Sequence, residues 1–126
     1  MNAIETDEFK ASLRRALLQY PDRALQFAVG CSQRVEHLMF TLTTKIDDKT
    51  PEYAARAVLC AAKAAYHVAK WRRLSWEGNG YDASESFDEA MEAITDVLAY
   101  ASLASDDPDK EDEYQVVEFE KLIKSS

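Results

Sequence analysis

A chain of 126 residues with 47% hydrophobic residues has the length and composition of one globular domain, which we assign to residues 1–126. Its three glycines and three prolines are too few for the many turns of a β-sandwich or a small β-barrel. The net charge of −8 argues against direct binding to nucleic acid, because the phosphate backbone would repel the protein.

The N-terminus and the cysteines indicate where the protein works. The first ten residues are polar and acidic, unlike a basic and then apolar leader. The most apolar run, 54–69, contains charged residues and is unsuited to a membrane span. Cys31 and Cys60 lie among apolar residues, and we interpret both as reduced core residues, with a disulfide between them as the alternative. These features predict a cytoplasmic protein without membrane contact.

Helical periodicity begins near the N-terminus. Apolar residues spaced by three and four predict a first helix over 7–20, with Tyr20 on its inward face. Thr6 or Asp7 can cap this helix, and Pro21 ends it because the residue before a proline avoids the α region.

The second and third helices follow. The second is predicted over 22–43, with an apolar stripe that extends to Leu42, and Gly30 within it is interpreted as a close approach between helices. Thr50 as a cap and Pro51 in the first turn predict a third helix that runs to residue 75. Its inward stripe is rich in small residues, which predicts a central helix: Ala54, Val58, Ala61, Ala65, Val68 and Arg72.

The C-terminal third contains the clearest break in the chain. Residues 78–80, Gly-Asn-Gly, predict a turn, after which Asp82 or Ser84 caps a fourth helix. A fifth, short helix is predicted over 110–124, where three apolar residues face inward: Val116, Phe119 and Ile123. The predicted fold class is therefore all-α, an antiparallel bundle of four long helices plus a short C-terminal helix.

Charge is distributed unevenly along the chain. Residues 1–76 hold 12 Lys+Arg and 8 Asp+Glu, a net charge of +4, whereas residues 77–126 hold 3 and 15, a net charge of −12. Five acids share one face of the fourth helix and are called the acidic row below: Glu85, Asp88, Glu89, Glu92 and Asp96.

The acidic row has three interpretations. A solvated helix face is the ordinary one. The row can also pair inside the bundle with a basic stripe on the third helix, which consists of Arg56, Lys63 and Lys70. The third interpretation, which we adopt as the functional hypothesis, is that the row binds a basic protein partner.

Aromatic residues flank the glycine-rich turn. Trp71, Trp76 and Tyr81 are of the residue types that most often anchor protein interfaces, and we predict that they bind the partner. The alternative is that both tryptophans close the end of the bundle.

The sequence has no catalytic or metal-binding motif. His37 and His67 lack the His-Glu-x-x-His spacing of a zinc site, and Cys60 has no adjacent base. Neither a Gly-x-Ser-x-Gly elbow nor a glycine-rich phosphate loop occurs. We therefore predict a binding protein that uses no metal or cofactor, rather than an enzyme.

Three stretches carry a resemblance to a known family. They are Phe27-Ala28-x-x-Cys31-x-x-Arg34-Val35, then Pro51-x-x-Ala54, and finally Glu113-Tyr114-Gln115-x-x-x-Phe119-x-x-Leu122-Ile123. This pattern resembles the all-helical immunity proteins of bacterial polymorphic-toxin systems. The resemblance implies a cytoplasmic antidote that binds a toxin, such as a nuclease, and blocks its active site.

Three functional hypotheses follow from these patterns. The first is an acidic inhibitor of a basic protein, either an immunity protein or a phage-type inhibitor of a host defence nuclease, which would use the same charge complementarity. The second is a helical structural or adaptor module that self-associates, as a homodimer, through its aromatic end. A small enzyme ranks last.

Overall fold

The computed structural model describes residues 6–44, 46 and 48–124. Within these residues the chain forms an antiparallel all-α bundle without strands, which confirms the predicted fold class. A 3-10 turn over His37–Phe40 follows the second of five helices, which are α1 (Asp7–Gln19), α2 (Pro21–Glu36), α3 (Thr50–Trp76), α4 (Gly80–Ala104) and α5 (Pro108–Lys124). None of the helices in this part of the chain is long and apolar enough to cross a membrane.

The two longest helices, α3 and α4, form a hairpin around a tight turn and pack along their lengths. Gly78 ends α3 with a φ of +80°, a conformation that favours glycine. Its N–H donates to the carbonyl of Ser75 at 3.2 Å, and the N–H of Asn79 donates to the carbonyl of Leu74 at 2.9 Å. These two bonds form a Schellman motif, which satisfies the last carbonyls of α3 and reverses the chain at the predicted break.

The main core lies where the inward faces of all five helices meet. Small residues of α3 and α4 allow these two helices to approach closely, and larger side chains fill the space beside them. The largest fully buried apolar side chains are Leu13, Leu17, Val68, Ile94, Val97 and Leu98. The central position predicted for α3 agrees with its packing against both α2 and α4.

The first half of the chain departs from prediction in three places. Tyr20 caps the C-terminus of α1 and is partly exposed, although Thr6 caps the N-terminus as predicted. The second helix stops at Glu36, well before residue 43, and Leu42 is 99% exposed. The tighter 3-10 turn lets Leu38 and Met39 cover a second, smaller core cluster, and this packing ends the helix early. The prediction of a close helix approach at Gly30 is wrong, because a Cβ built there would meet no atom within 4 Å.

In α3 the inward face is rotated from the predicted one. Ala61 is buried as predicted, but Ala65 and Arg72 are exposed, while Ala57 and Ala64 are buried instead. The two patterns share positions 54, 61 and 68, so spacing alone could not separate them. The side that carries Ala57 and Ala64 is buried because α3 is flanked by both α2 and α4.

Two predicted caps are also corrected. Thr50 is the first residue of α3 rather than its cap, and its N–H donates to a carboxylate oxygen of Asp48 at 3.0 Å. The fourth helix begins at Gly80, and its cap is Asn79, whose Oδ1 accepts from the N–H of Asp82 at 3.3 Å. In both cases the acceptor lies before the residue that the sequence pattern favoured.

The inward face of α5 is partly polar. Ile123, predicted to be buried, is largely exposed, and Val116 is half-buried, whereas Glu111, Gln115, Phe119 and Leu122 are buried. Nε2 of Gln115 lies within hydrogen-bond distance of the Leu98 carbonyl (3.1 Å) and of Glu111 Oε1 (3.2 Å). Since Glu111 is paired with Arg34 of α2, a polar network joins α5 to α2 and α4.

Candidate protein-binding surface on α3 and α4

The acidic row lies along the outward face of α4. Glu85, Asp88, Glu89 and Glu92 are exposed, and Asp96 is half-buried. The opposite face of α4 is buried in the core, so burial of that face fixes the direction in which the carboxylates point. The predicted common face of the five acids is therefore present in the fold.

Two acids of the row, Asp88 and Glu89, lie within ion-pair distance of side chains on the helices beside α4. On one side, Asp88 forms an exposed ion pair with Arg14 of α1, at 3.1 Å. On the other, Oε2 of Glu89 lies 3.0 Å from Nδ1 of His67, an ion pair when the imidazole is protonated. Glu85 and Glu92 form no ion pair with any described residue.

The basic stripe on α3 does not neutralise the row. Arg56 pairs with Glu52 one turn away, at 2.8 Å, and also donates to the Tyr100 hydroxyl. Lys63 lies near Asp96 without reaching ion-pair distance, and Lys70 forms no ion pair with a described residue. The alternative of internal pairing with these three residues is thus not the arrangement in the structure.

A shallow cleft of about 260 Å³ separates the row from α3. Burial raises the pKa of the Asp96 carboxyl, and the neighbouring charge of Glu92 raises it further against a smaller opposing effect of Lys63. Carboxylates are therefore crowded on this side of the cleft, and a cation from outside would relieve their repulsion. The cleft is lined by Cys60, Lys63, His67, Glu89, Glu92, Ala93 and Asp96.

The cleft is poorly suited to nucleophilic chemistry. Cys60, predicted to be a core residue, is buried but lines the cleft together with His67. Burial raises the pKa of the Cys60 thiol, and Asp96 raises it further, so the reactive thiolate is disfavoured. No group of three His, Cys, Asp or Glu side chains in the described part of the chain could hold a metal ion.

The predicted aromatic set separates into two environments. Trp71 is half-buried and packs edge-on against Phe87, with ring centroids 5.0 Å apart, so the alternative interpretation, proposed for both tryptophans, fits this one only. Trp76 and Tyr81 flank the α3–α4 turn and are 91% and 83% exposed. These two therefore offer a partner more exposed surface than Trp71 does.

Two further exposed apolar residues were not among the predicted interface residues. Leu59 and Tyr66 lie seven residues apart on the outer face of α3, and both are more than half exposed. The ring of Tyr66 lies 5.1 Å from that of His67, so an apolar surface adjoins the acidic cleft. Their seven-residue spacing was a signal that sequence analysis could have used, because it places two large apolar side chains on one helix face.

Comparison with protein-family models, with curated proteins and with solved structures found no match for this chain.

Proposed function

We propose that the chain is an acidic protein inhibitor that binds a basic protein partner through the acidic row and the adjoining exposed aromatic side chains. The observation that carries this proposal is the row itself, a line of four exposed carboxylates and the half-buried Asp96, in which Glu85 and Glu92 have no cationic partner among the described residues. Exposed Trp76, Tyr81 and Tyr66 supply apolar contact area of the kind that dominates interface energetics.

The electrostatics favour a basic partner. Carboxylates on one helix face repel each other, and lysine or arginine side chains from a partner would remove that repulsion. The field of the row would also steer a basic protein toward the surface and raise its association rate. The same field repels nucleic acid. We therefore propose that the chain blocks a nuclease partner by direct protein contact and does not bind nucleic acid itself.

The resemblance to immunity proteins of polymorphic-toxin systems supports the more specific form of the proposal. In that form the partner is a toxin, such as a nuclease, with a basic active-site cleft, and the acidic row covers the cleft in the cytoplasm. This function requires neither a catalytic residue nor a cofactor of its own.

The test compares two variants of equal charge. The row variant carries lysine in place of Glu85, Glu89 and Glu92. The control variant carries lysine in place of three exposed acids outside the row, Glu36, Glu113 and Glu120. Each triple changes the net charge from −8 to −2. The wild-type chain is cross-linked to its partners in the native host, and the partners are identified by mass spectrometry. The association rate with the purified partner is then measured for wild type and for both variants.

We expect a basic partner whose association is slowed about tenfold or more by the row variant and far less by the control. If the partner is toxic, co-expression of wild type should restore growth and the row variant should not. Melting temperatures of both variants show that the fold is retained. Equal slowing by the two variants, or an acidic partner, would contradict the proposal.

A second candidate is self-association through the aromatic turn, which the exposure of Trp76 and Tyr81 favours. Sedimentation of wild type and of a Trp76→Ser, Tyr81→Ser variant separates the two candidates. A dimer that the double change dissociates would favour the structural module, whereas a monomer in both cases would exclude self-association through the turn.

A further inference from the structure

A groove of about 320 Å³ runs between α2 and α5, away from the acidic row. Five of its residues are spaced along one face of α2, at positions 23, 26, 27, 30 and 34, and three come from α5. The groove is lined by Arg23, Gln26, Phe27, Gly30, Arg34, Glu118, Lys121 and Leu122. Its volume is at the lower end of the range for small-molecule sites.

Gly30 lies in this groove without a structural reason to be glycine. It is inside α2, where glycine is less favourable than alanine, and its φ is not positive. A Cβ at this position would meet no atom within 4 Å. The missing side chain therefore leaves open space in the groove and improves no contact within the protein.

Arg23 lines the same groove and lacks an anionic partner in the part of the chain that the structure describes. Its Nη1 is shielded from solvent and has no hydrogen-bond partner among the described residues, and the side chain forms no ion pair with any of them. The guanidinium lies over the ring of Tyr20, 5.1 Å from its centroid, which holds it in place. The Arg23 side chain lines the groove, and an oxyanion bound there would supply a counter-charge for the guanidinium.

The other charged groups of the groove are paired. Arg34 is held by Glu111, which lies outside the lining, and Lys121 lies 3.3 Å from Glu118. The lining thus has three cations and one carboxylate, although the protein as a whole is acidic. Phe27 and Leu122 add apolar surface beside these charges.

We propose that the α2–α5 groove is a binding site for a small organic anion. The carboxylate or phosphate group of the ligand pairs with the guanidinium of Arg23, and the apolar part occupies the space at Gly30 against Phe27 and Leu122. This site is independent of the protein-binding surface proposed above, because the two share no residue.

The three glycines of the chain provide the readout. In ¹H–¹⁵N spectra, Gly30 reports on the groove, while Gly78 and Gly80 at the α3–α4 turn serve as internal controls. The probes are phenyl phosphate, phenylacetate and inorganic phosphate. We expect saturable shifts of the Gly30 signal with at least one aromatic anion and little change at Gly78 or Gly80. Inorganic phosphate should bind at least about tenfold more weakly than that aromatic anion. Whichever of phenyl phosphate and phenylacetate binds more tightly shows whether the site prefers a phosphate or a carboxylate group.

Variants test the two features of the groove by calorimetry. Arg23→Gln should weaken binding about tenfold, whereas Arg73→Gln, an equal change of charge on α3, should leave it unchanged. Gly30→Leu should abolish binding, and Gly30→Ala should raise the melting temperature, since the position is open. Absence of saturable shifts at Gly30, equal effects of the two arginine changes, or a lower melting temperature for Gly30→Ala would each overturn the proposal.

Discussion

Arg34 of α2 and Glu111 of α5 form a two-point ion pair, with Nη2 2.7 Å from Oε1 and Nε 3.3 Å from Oε2. The Glu111 side chain is 6% exposed and that of Arg34 is 31% exposed. Burial lowers the pKa of Arg34, but the hydrogen bond with Glu111 and the effects of Cys31 and of the Glu111 charge together outweigh it and leave the pKa raised. The two residues are 77 positions apart, so the pair fixes the last helix against the second.

Glu111→Gln should destabilise the fold by about 3 kcal/mol, because it leaves the Arg34 guanidinium without its counter-charge in a partly buried site. Glu52→Gln is the control, since it breaks an exposed ion pair of similar length and should cost less than about 1 kcal/mol. Urea unfolding gives both values. Equal costs would mean that the buried pair contributes no more than a surface one.

The rotated inward face of α3 is tested by Ala61→Leu and Ala65→Leu. The first change overpacks a buried position and should cost about 1–3 kcal/mol, whereas the second lies on an exposed face and should change stability by no more than about 0.5 kcal/mol. Thermal melts of the two variants decide the matter. A similar large cost at both positions would restore the face predicted from spacing, on which both residues point inward.

Asp96→Asn should stabilise the protein at neutral pH. Because the pKa of this carboxyl is higher in the folded than in the unfolded chain, folding disfavours its ionised form. The contribution of Asp96 to stability is full below its ordinary pKa of 3.8 and decreases as the pH rises through the folded value. The gain from asparagine should therefore shrink between about pH 7 and pH 4. The control is Asp106→Asn, because Asp106 is exposed and lies outside the cleft. Urea titrations at both pH values give the free energy of unfolding of each variant.

The two cysteines should differ in their reaction with an aromatic disulfide reagent at mildly alkaline pH. Burial raises the pKa of the Cys31 thiol to about 11, against the opposing effect of Arg34, and burial also raises the pKa of Cys60. Cys60 lines an open cleft and should react first, while Cys31 should react only on unfolding. Cys60→Ser should remove the faster phase. Loss of the slower phase in that variant would reverse the assignment.

Periodicity was sufficient for the fold and for the direction of the acidic row. The turn at Gly78, the cap at Thr6 and the position of the row follow from local rules, because each depends on a few neighbouring residues. The early end of α2 does not, since it depends on the packing of Leu38 and Met39 against residues of other helices.

The buried face of α5 and the α2–α5 groove could not be predicted from the sequence either. A pattern of apolar residues places Glu111 and Gln115 at the surface. Their burial is favourable because each has a distant partner, Arg34 for Glu111 and the Leu98 carbonyl for Gln115. Gly30 was interpreted as a packing contact because glycine within a helix often marks one, and the open space beside it is visible only in three dimensions.

The placement of Trp71 and Trp76, the only tryptophans of the chain, provides two separate optical signals without any label. Trp71 packs against Phe87, so its emission follows the integrity of the core. Trp76 is surrounded by solvent, and its emission should shift to shorter wavelength only when another molecule covers the α3–α4 turn. Replacing either one with phenylalanine leaves a single emitter, so unfolding and contact at the turn can be followed independently in the same spectrometer.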